Sequence, residues 1–199
     1  QLVAWQFHRN DWYVRQARRV LQERASRGED MAEVHRQLLA EFHSTGPVER
    51  RLRSLWALYV TEGAQPRWLE TFLDDAEPDI RHWAIRLLCD RGALSQEQAS
   101  RLVSCAKKET SWRVKLALAS ALPAAADERW ELGAALARTF DDKTEGNLVR
   151  LTWMGWHEAA AQKYERTLAL LPQLRCPQLI EGEGRRLMPT IIWWVHRNY

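Results

Sequence analysis

The chain has 199 residues, of which 46% are hydrophobic and 28% are charged, so it can bury the core of one domain or of one continuous solenoid. Its 29 basic and 26 acidic residues leave a net charge of +3, which does not favour nucleic acid or an anionic membrane as partner. The three cysteines form no disulfide pattern, and no apolar run approaches the roughly 20 residues of a membrane span, so no membrane insertion is expected. The start at Gln1 lacks a signal peptide, and we expect the chain to be a segment of a longer protein.

One pattern recurs five times along the chain: an aliphatic residue, then a basic residue, then an apolar run with small and large side chains. The pairs that begin it are Val14–Arg15, Leu52–Arg53, Ile80–Arg81, Val114–Lys115 and Val149–Arg150. Successive basic residues are 38, 28, 34 and 35 positions apart, which is about the length of one helix pair. Helix-start residues precede three of the runs: Asn10 or Asp11, then Pro78, then Thr110 or Ser111.

Five other stretches with helical apolar spacing lie between or after these runs, at 31–42, 68–73, 99–106, 130–140 and 164–171. Glycines and Pro123 mark breaks, and no stretch has a convincing period of two. We predict an all-α fold of roughly ten to twelve helices. Because one helix pair cannot bury its apolar face alone, about five pairs are expected to stack as a HEAT- or armadillo-like α-solenoid over 1–172. Residues 173–199 are then a C-terminal loop and helix that cap the stack or lead to a missing domain.

The apolar runs also carry a family resemblance. The stretch Asn10–Ala25, with Leu55–Leu58, Trp83–Leu88 and Leu116–Leu122, resembles the HEAT-repeat segment of large planctomycete and verrucomicrobial membrane-bound dehydrogenases. The likeness covers about residues 1–160. In that family a sugar-dehydrogenase-like propeller precedes the repeats and a c-type cytochrome often follows. The resemblance therefore implies a connector or scaffold, located in the periplasm; the chain has no Cys-x-x-Cys-His haem motif, so no redox role passes to its residues.

Short motifs of enzyme chemistry are incomplete. His157-Glu158 begins like a zinc-protease helix, but Ala161 stands where the second histidine ligand belongs. Ser104 and Lys107 match a Ser-x-x-Lys pattern without its companion motifs. We predict no catalytic, cofactor-binding or metal-binding residue, and we expect Cys89 and Cys105 to be buried, unreactive thiols.

The basic residues of the recurring pattern are the candidate binding face: Arg15, Arg53, Arg81, Lys115 and Arg150. In a stack they form a row. The structural interpretation is a ladder in which each cation bonds a neighbouring carboxylate, with Asp11, Asp79 and Glu49 as candidates, or a helix C-terminal carbonyl. The alternative is an anion-binding surface for phosphate or acidic protein segments.

The leading hypothesis is a non-catalytic scaffold whose partners are protein domains, with an apolar patch at one or both ends and no small-molecule substrate identified. One alternative is a HEAT-like DNA-binding protein or DNA glycosylase with a basic, tryptophan-containing groove. The other is the anion or acidic-peptide binder. Five tryptophans fall in or beside the recurring helices: Trp12, Trp56, Trp83, Trp112 and Trp153. Most of them are predicted to pack in the core or between repeats. Trp193–Trp194 are instead assigned to contact with a missing neighbouring domain.

Overall fold

The structure is a computed structural model that describes residues 1–176, 179 and 197. These residues contain eleven α-helices, two 3-10 helices and no strand, which confirms the all-α prediction. They divide into two compact units, one over Gln1–Leu87 and one over Leu88–Tyr199, with the boundary inside a helix. The arrangement of all the pairs in one solenoid is not shown and stays a proposal.

The first unit is built from short amphipathic helices around an aliphatic core. Its helices are α1 (Leu2–Trp5), α2 (Asp11–Ser26), α3 (Ala32–His43), α4 (Val48–Val60), α5 (Pro66–Glu70) and most of α6 (Pro78–Asp90). Leu21, Leu38, Phe42 and Leu55 are fully buried. The long helix α2 begins after Asn10, whose Oδ1 accepts a hydrogen bond from the backbone N–H of Trp12 at 2.9 Å, as the sequence predicts.

The described residues of the second unit form a more continuous apolar core. They comprise α7 (Gln96–Lys108), α8 (Trp112–Ala121), a 3-10 helix at Leu122–Glu128, α9 (Arg129–Ala137), α10 (Gly146–Gln162), α11 (Tyr164–Leu170) and a 3-10 helix at Leu171–Gln173. Two buried tryptophans link three of these helices. The indole of Trp156 on α10 donates to the carbonyl of Trp130 on α9 at 3.1 Å, and the indole of Trp130 donates to Thr167 on α11 at 2.8 Å.

The recurring pattern occupies every second helix. Its five copies lie on α2, α4, α6, α8 and α10, and the intervening apolar stretches lie on α3, α5, α7, α9 and α11. The aliphatic residue that begins each copy is buried in all five cases: Val14, Leu52, Ile80, Val114 and Val149. The aliphatic residue of each copy therefore marks the position at which its helix packs into the core of its own unit.

Several local predictions need correction. Ser111 stands at the N-cap of α8 without a side-chain hydrogen bond; instead Glu109 accepts from the backbone N–H groups of Thr110 and Ser111 at 3.0 and 2.8 Å. Both of these N–H groups precede α8, so Glu109 fixes the approach to the helix and does not cap its first turn. The chain stays helical across Pro123, as a 3-10 segment. Most of 173–199, including Trp193–Trp194, lies outside the described residues.

Two of the five tryptophans of the recurring helices lie outside the core. Trp12 and Trp112 are 57% and 51% exposed. Each occupies one of the first two positions of its helix, where a side chain has no preceding turn to pack on. The other three, Trp56, Trp83 and Trp153, are half-buried.

A close approach in the second unit gives a stability prediction. A β-carbon at Gly133 on α9 would overlap the indole of the fully buried Trp156, so only glycine fits there. Gly133→Ala should lower the free energy of unfolding by about 2–3 kcal/mol because the core must move to admit a methyl group. Urea unfolding measures this effect.

The matched control is Gly146→Ala at the start of α10, where an added β-carbon meets nothing within 4 Å. This substitution should leave stability unchanged or raise it by less than about 1 kcal/mol, since alanine favours helix over glycine. Equal effects of the two substitutions would contradict the packing of Trp156 on Gly133.

Candidate functional site

Three of the five predicted basic residues lie in the first unit. One of them, Arg53, forms hydrogen bonds to a neighbouring loop. Arg53 on α4 donates from Nη2 to Asp11 Oδ1 at 2.7 Å and from Nη1 to the backbone oxygens of His8 and Gln6 at 3.1 and 3.4 Å. This guanidinium bridges α4 to the α1–α2 loop. It has the geometry that the structural interpretation expects, including the carboxylate of Asp11.

Arg81 follows the same principle one helix pair further along. Its Nη1 donates to the backbone oxygens of Asp75 and Ala76 at 2.7 and 3.1 Å, which ties α6 to the loop that precedes it. Arg15, by contrast, is exposed on α2. The three positions share a phase in the sequence but not a common environment.

The other two predicted basic residues lie in the second unit. Burial lowers the pKa of Lys115, and the carboxylates of Glu109 and Asp141 oppose that shift. Arg150 is exposed and donates to Asn147 Oδ1 on its own helix at 3.1 Å. Lys115 is therefore half-withdrawn from solvent, while Arg150 is held on the helix surface.

A half-buried ion pair of the first unit has no signal in the sequence pattern. Arg51 on α4 donates from both terminal nitrogens to the two carboxylate oxygens of Asp75 at 3.2 and 2.6 Å. Asp75 Oδ1 also accepts the backbone N–H of Glu77 at 2.9 Å, just before α6 begins. Burial raises the pKa of Asp75, but the bonds from Arg51 and Glu77 outweigh it and lower the pKa overall.

Arg18 on α2 has no such partner in the described part of the chain. Its side chain lines a pocket of about 380 Å³ with Trp56, Tyr59, Val60, Trp83 and Leu87. The guanidinium carbon lies 5.1 Å from the centre of the Trp56 ring, and the rings of Trp56 and Trp83 meet edge to face at 4.9 Å. The lining side chains come from α2, α4 and α6, three helices that carry the recurring pattern.

Three buried N–H donors lie beneath the apolar surface of this pocket and not on it. Nε and Nη2 of Arg18 and Nε1 of Trp56 are out of contact with solvent and have no hydrogen-bond partner in the described part of the chain. Burial lowers the pKa of Arg18, the nearby Arg53 lowers it further, and Asp11 opposes both. A buried donor that is left unpaired costs about 1–3 kcal/mol, so these donors lower the stability of the first unit.

A second surface feature of the first unit is a cluster of exposed aromatic rings on α1 and the start of α2. Trp5, Trp12 and Tyr13 are 36%, 57% and 39% exposed. Tyr13 contacts the other two edge to face, with ring centres 5.8 and 5.0 Å apart, and His8 at 4.7 Å. We call Trp5, His8, Trp12 and Tyr13 the aromatic cluster.

The second unit has a pocket of about 410 Å³ that brings Trp130, Glu131 and Arg166 together with Lys107 and Arg138. Burial raises the pKa of Glu131, but a bond to its own backbone N–H and the bond from Arg166 at 2.9 Å outweigh it and lower the pKa. The carboxylate is thus ionised and occupied by cations. Trp130 is almost fully buried. Neither Trp130 nor Glu131 is therefore placed to act on a nucleobase.

The incomplete enzyme motifs occupy ordinary positions. Ser104 donates to the backbone oxygen of Ser100 at 3.1 Å on an exposed helix face, and Nδ1 of His157 lies 3.1 Å from the backbone oxygen of Met154. Burial raises the pKa of the Cys89 thiol to about 11, so it stays protonated and unreactive near neutral pH. In the described residues, no three histidine, cysteine, aspartate or glutamate side chains are grouped so that they could hold a metal ion.

Compared with protein-family models, curated proteins and solved structures, the chain matches none. None of the described helices has both the length and the apolar character needed to cross a bilayer. The function therefore has to be argued from the contacts and charges of the chain itself.

The Arg51–Asp75 pair yields a stability prediction with an internal control. Arg51 and Asp75 are 21% and 12% exposed, whereas Arg36 and Glu33 form a similar two-bond pair with 71% and 61% exposure. Arg51→Met should lower the free energy of unfolding by about 1–3 kcal/mol because it leaves a part-buried carboxylate unpaired. Arg36→Met should change stability little. Comparable losses in chemical unfolding would contradict the role assigned to Asp75.

The same pair predicts a pH dependence. Because the pKa of Asp75 is lowered on folding, its contribution is complete above its unfolded pKa of about 4 and is lost as the pH falls through the lower folded value. The gap between wild type and Arg51→Met should therefore narrow when urea unfolding is repeated near pH 3 rather than pH 7. A gap that does not depend on pH would mean that Arg51 stabilises the fold by packing alone.

Proposed function

We propose that this chain is a non-catalytic interaction module of stacked helix pairs that holds protein domains together. The observation that carries the proposal is the aromatic cluster. Three large rings that contact one another yet stay exposed form an apolar surface of the kind that proteins bury against a partner. An apolar patch at one end of the module is what the scaffold hypothesis expects.

The chemistry of the cluster suits a protein partner. Tryptophan and tyrosine lose little side-chain entropy on burial and combine a large apolar face with one polar group. The ring of Tyr13 is already fixed by edge contacts with Trp5, Trp12 and His8, so part of the ordering needed for binding is complete before the partner arrives.

The finer assignments rest on the recurring pattern and on the family resemblance. The alternation of helices and the buried aliphatic residue in each copy support a HEAT-like α-solenoid. The resemblance supports a place within a membrane-bound dehydrogenase of the planctomycete and verrucomicrobial type, and hence in the periplasm. In this proposal the module joins domains that carry the chemistry of the larger protein.

The alternatives have less support. An anion-binding row needs available cations, but Arg53 and Arg81 already donate to loop oxygens. A glycosylase-type enzyme needs an acid beside an accessible tryptophan. The pocket lining around Trp56 includes no carboxylate, and Glu131 beside Trp130 is bonded by Arg166.

A photo-crosslinking experiment tests the proposal. A benzophenone amino acid is placed at position 12 in the full-length protein, in cells of the organism that encodes it, and products are identified by mass spectrometry. We expect a defined adduct with another domain of the same polypeptide or with one other protein.

The control position is Trp112, which is similarly exposed but has no aromatic ring contact among the described residues. It should give little adduct. Equal labelling at both positions, or none at position 12, would overturn the role of the aromatic cluster.

A further inference from the structure

The pocket beside Trp130 in the second unit is a candidate site that the proposed function does not use. Three cations from three elements line it: Lys107 near the end of α7, Arg138 at the C-cap of α9 and Arg166 on α11. All three residues are exposed, so a ligand can reach their charged groups from solvent. The open surface of this cationic pocket is part polar and part apolar.

We propose that the cationic pocket binds a small organic phosphate, a phosphomonoester whose organic part is apolar and about the size of one ring. The phosphate lies among Lys107, Arg138 and Arg166. The organic part lies against the apolar lining residues Val103, Ala169 and Leu170.

The charge balance of the lining favours a dianion. Glu131 is the one carboxylate among the described lining residues, and it already bonds Arg166 at 2.9 Å and Lys163 at 3.4 Å. No carboxylate in the described part of the chain bonds Lys107 or Arg138. Three cations against one carboxylate leave two positive charges in the lining. A phosphomonoester carries close to two negative charges at neutral pH and so matches this excess.

Two of the three cations are held in position by other residues of the pocket. The guanidinium carbon of Arg166 lies 4.1 Å from the centre of the Trp130 ring, and Nη1 of Arg166 donates to Glu131 Oε1 at 2.9 Å. Arg138 donates from Nε to Gln173 Oε1 at 3.3 Å, whereas its terminal nitrogens bond no described residue. Less side-chain freedom is therefore lost when an anion binds to these two groups.

The arrangement of the donors favours phosphate over carboxylate. The ammonium of Lys107 and the guanidinium groups of Arg138 and Arg166 enter the pocket from different helices. A phosphate group has three terminal oxygens in a tetrahedral arrangement, so it accepts hydrogen bonds from several directions at once. A carboxylate is planar and matches the edge of a single guanidinium.

The volume of the pocket favours a phosphate that has an organic part. A space of about 410 Å³ lies at the lower end of the range for small-molecule sites, roughly 300–1,000 Å³, and a bare phosphate ion is much smaller. Val103, Ala169 and Leu170 supply the apolar part of the lining. Burial of this surface by a ring-sized group adds to the affinity that the phosphate contributes.

The test uses phenyl phosphate as the probe, at about pH 7.5, where its phosphate is a dianion because the second pKa is about 6. The probe is titrated into the full chain and followed by calorimetry and by 15N NMR of the backbone amides of Ala169 and Gln173. We expect saturable shifts at both amides and a dissociation constant below about 1 mM. Inorganic phosphate lacks the ring and benzoate carries one charge, so each should bind at least about tenfold more weakly.

Two variants and two matched controls separate this pocket from general charge. Lys107→Met and Arg138→Met each remove one cation and should each weaken binding of phenyl phosphate by about three- to tenfold. Lys143→Met and Arg150→Met make the same two changes at exposed positions of the second unit outside the pocket lining, and they should leave binding unchanged. Because all four positions are exposed, each variant should melt close to wild type in thermal unfolding.

The proposal is overturned if phenyl phosphate shows no saturable binding up to about 10 mM, if inorganic phosphate or benzoate binds as tightly, or if the pocket variants bind no more weakly than the controls. A short peptide that contains phosphotyrosine distinguishes the two sources of such a group. Binding of this peptide at least about tenfold more tightly than phenyl phosphate would also overturn the assignment, because the ligand would then be a modified protein segment.

Discussion

Hydrogen bonds from arginine side chains to carboxylate and backbone oxygens hold the loops of the first unit in place. A guanidinium withdrawn from water needs oxygens for its donors, and α4 supplies two such groups to loops that have no regular structure of their own. Arg53 holds the α1–α2 loop through Asp11 and the carbonyl of His8. Arg51 holds the loop before α6 through Asp75. Helices as short as α1 and α5 have little intrinsic stability. The two arginine contacts therefore fix the loops that follow these helices.

Arg18 departs from this arrangement, and the departure is informative. Native proteins pair nearly all buried polar groups, so an unpaired guanidinium edge is a feature that calls for a physical cause. Arg18 has a lowered pKa and aromatic neighbours but no hydrogen-bond acceptor in the described residues for Nε or Nη2. The contact of its guanidinium with the face of Trp56, 5.1 Å from the ring centre, withdraws the donors from water without bonding them.

Much of the fold could be predicted from the sequence because the spacing of apolar residues indicates which side chains are buried. The recurring aliphatic residues all proved buried, and Asn10 caps α2 as expected. The division at Leu87 and Leu88 was not predictable, because it falls inside a helix with unbroken apolar spacing.

The candidate site was less predictable than the fold. The sequence points to Arg15, Arg53 and Arg81 because they share a phase, yet Arg18, one turn after Arg15, lines the pocket. The position of the loops, such as the one before α6, decides which arginine lies beside a carboxylate or a backbone oxygen. The local sequence pattern does not determine the position of these loops. The exposure of Trp12 was missed for a related reason, since a tryptophan at a helix start looks in sequence like any other residue of the apolar stripe.

The loops of the first unit depend on the contacts of Arg53 and Arg51. A crystal structure of the full chain tests this assignment through the atoms within about 3.3 Å of each guanidinium nitrogen. We expect Asp11 and the carbonyl of His8 at Arg53, and both carboxylate oxygens of Asp75 at Arg51. Either guanidinium bonded only to water would contradict it.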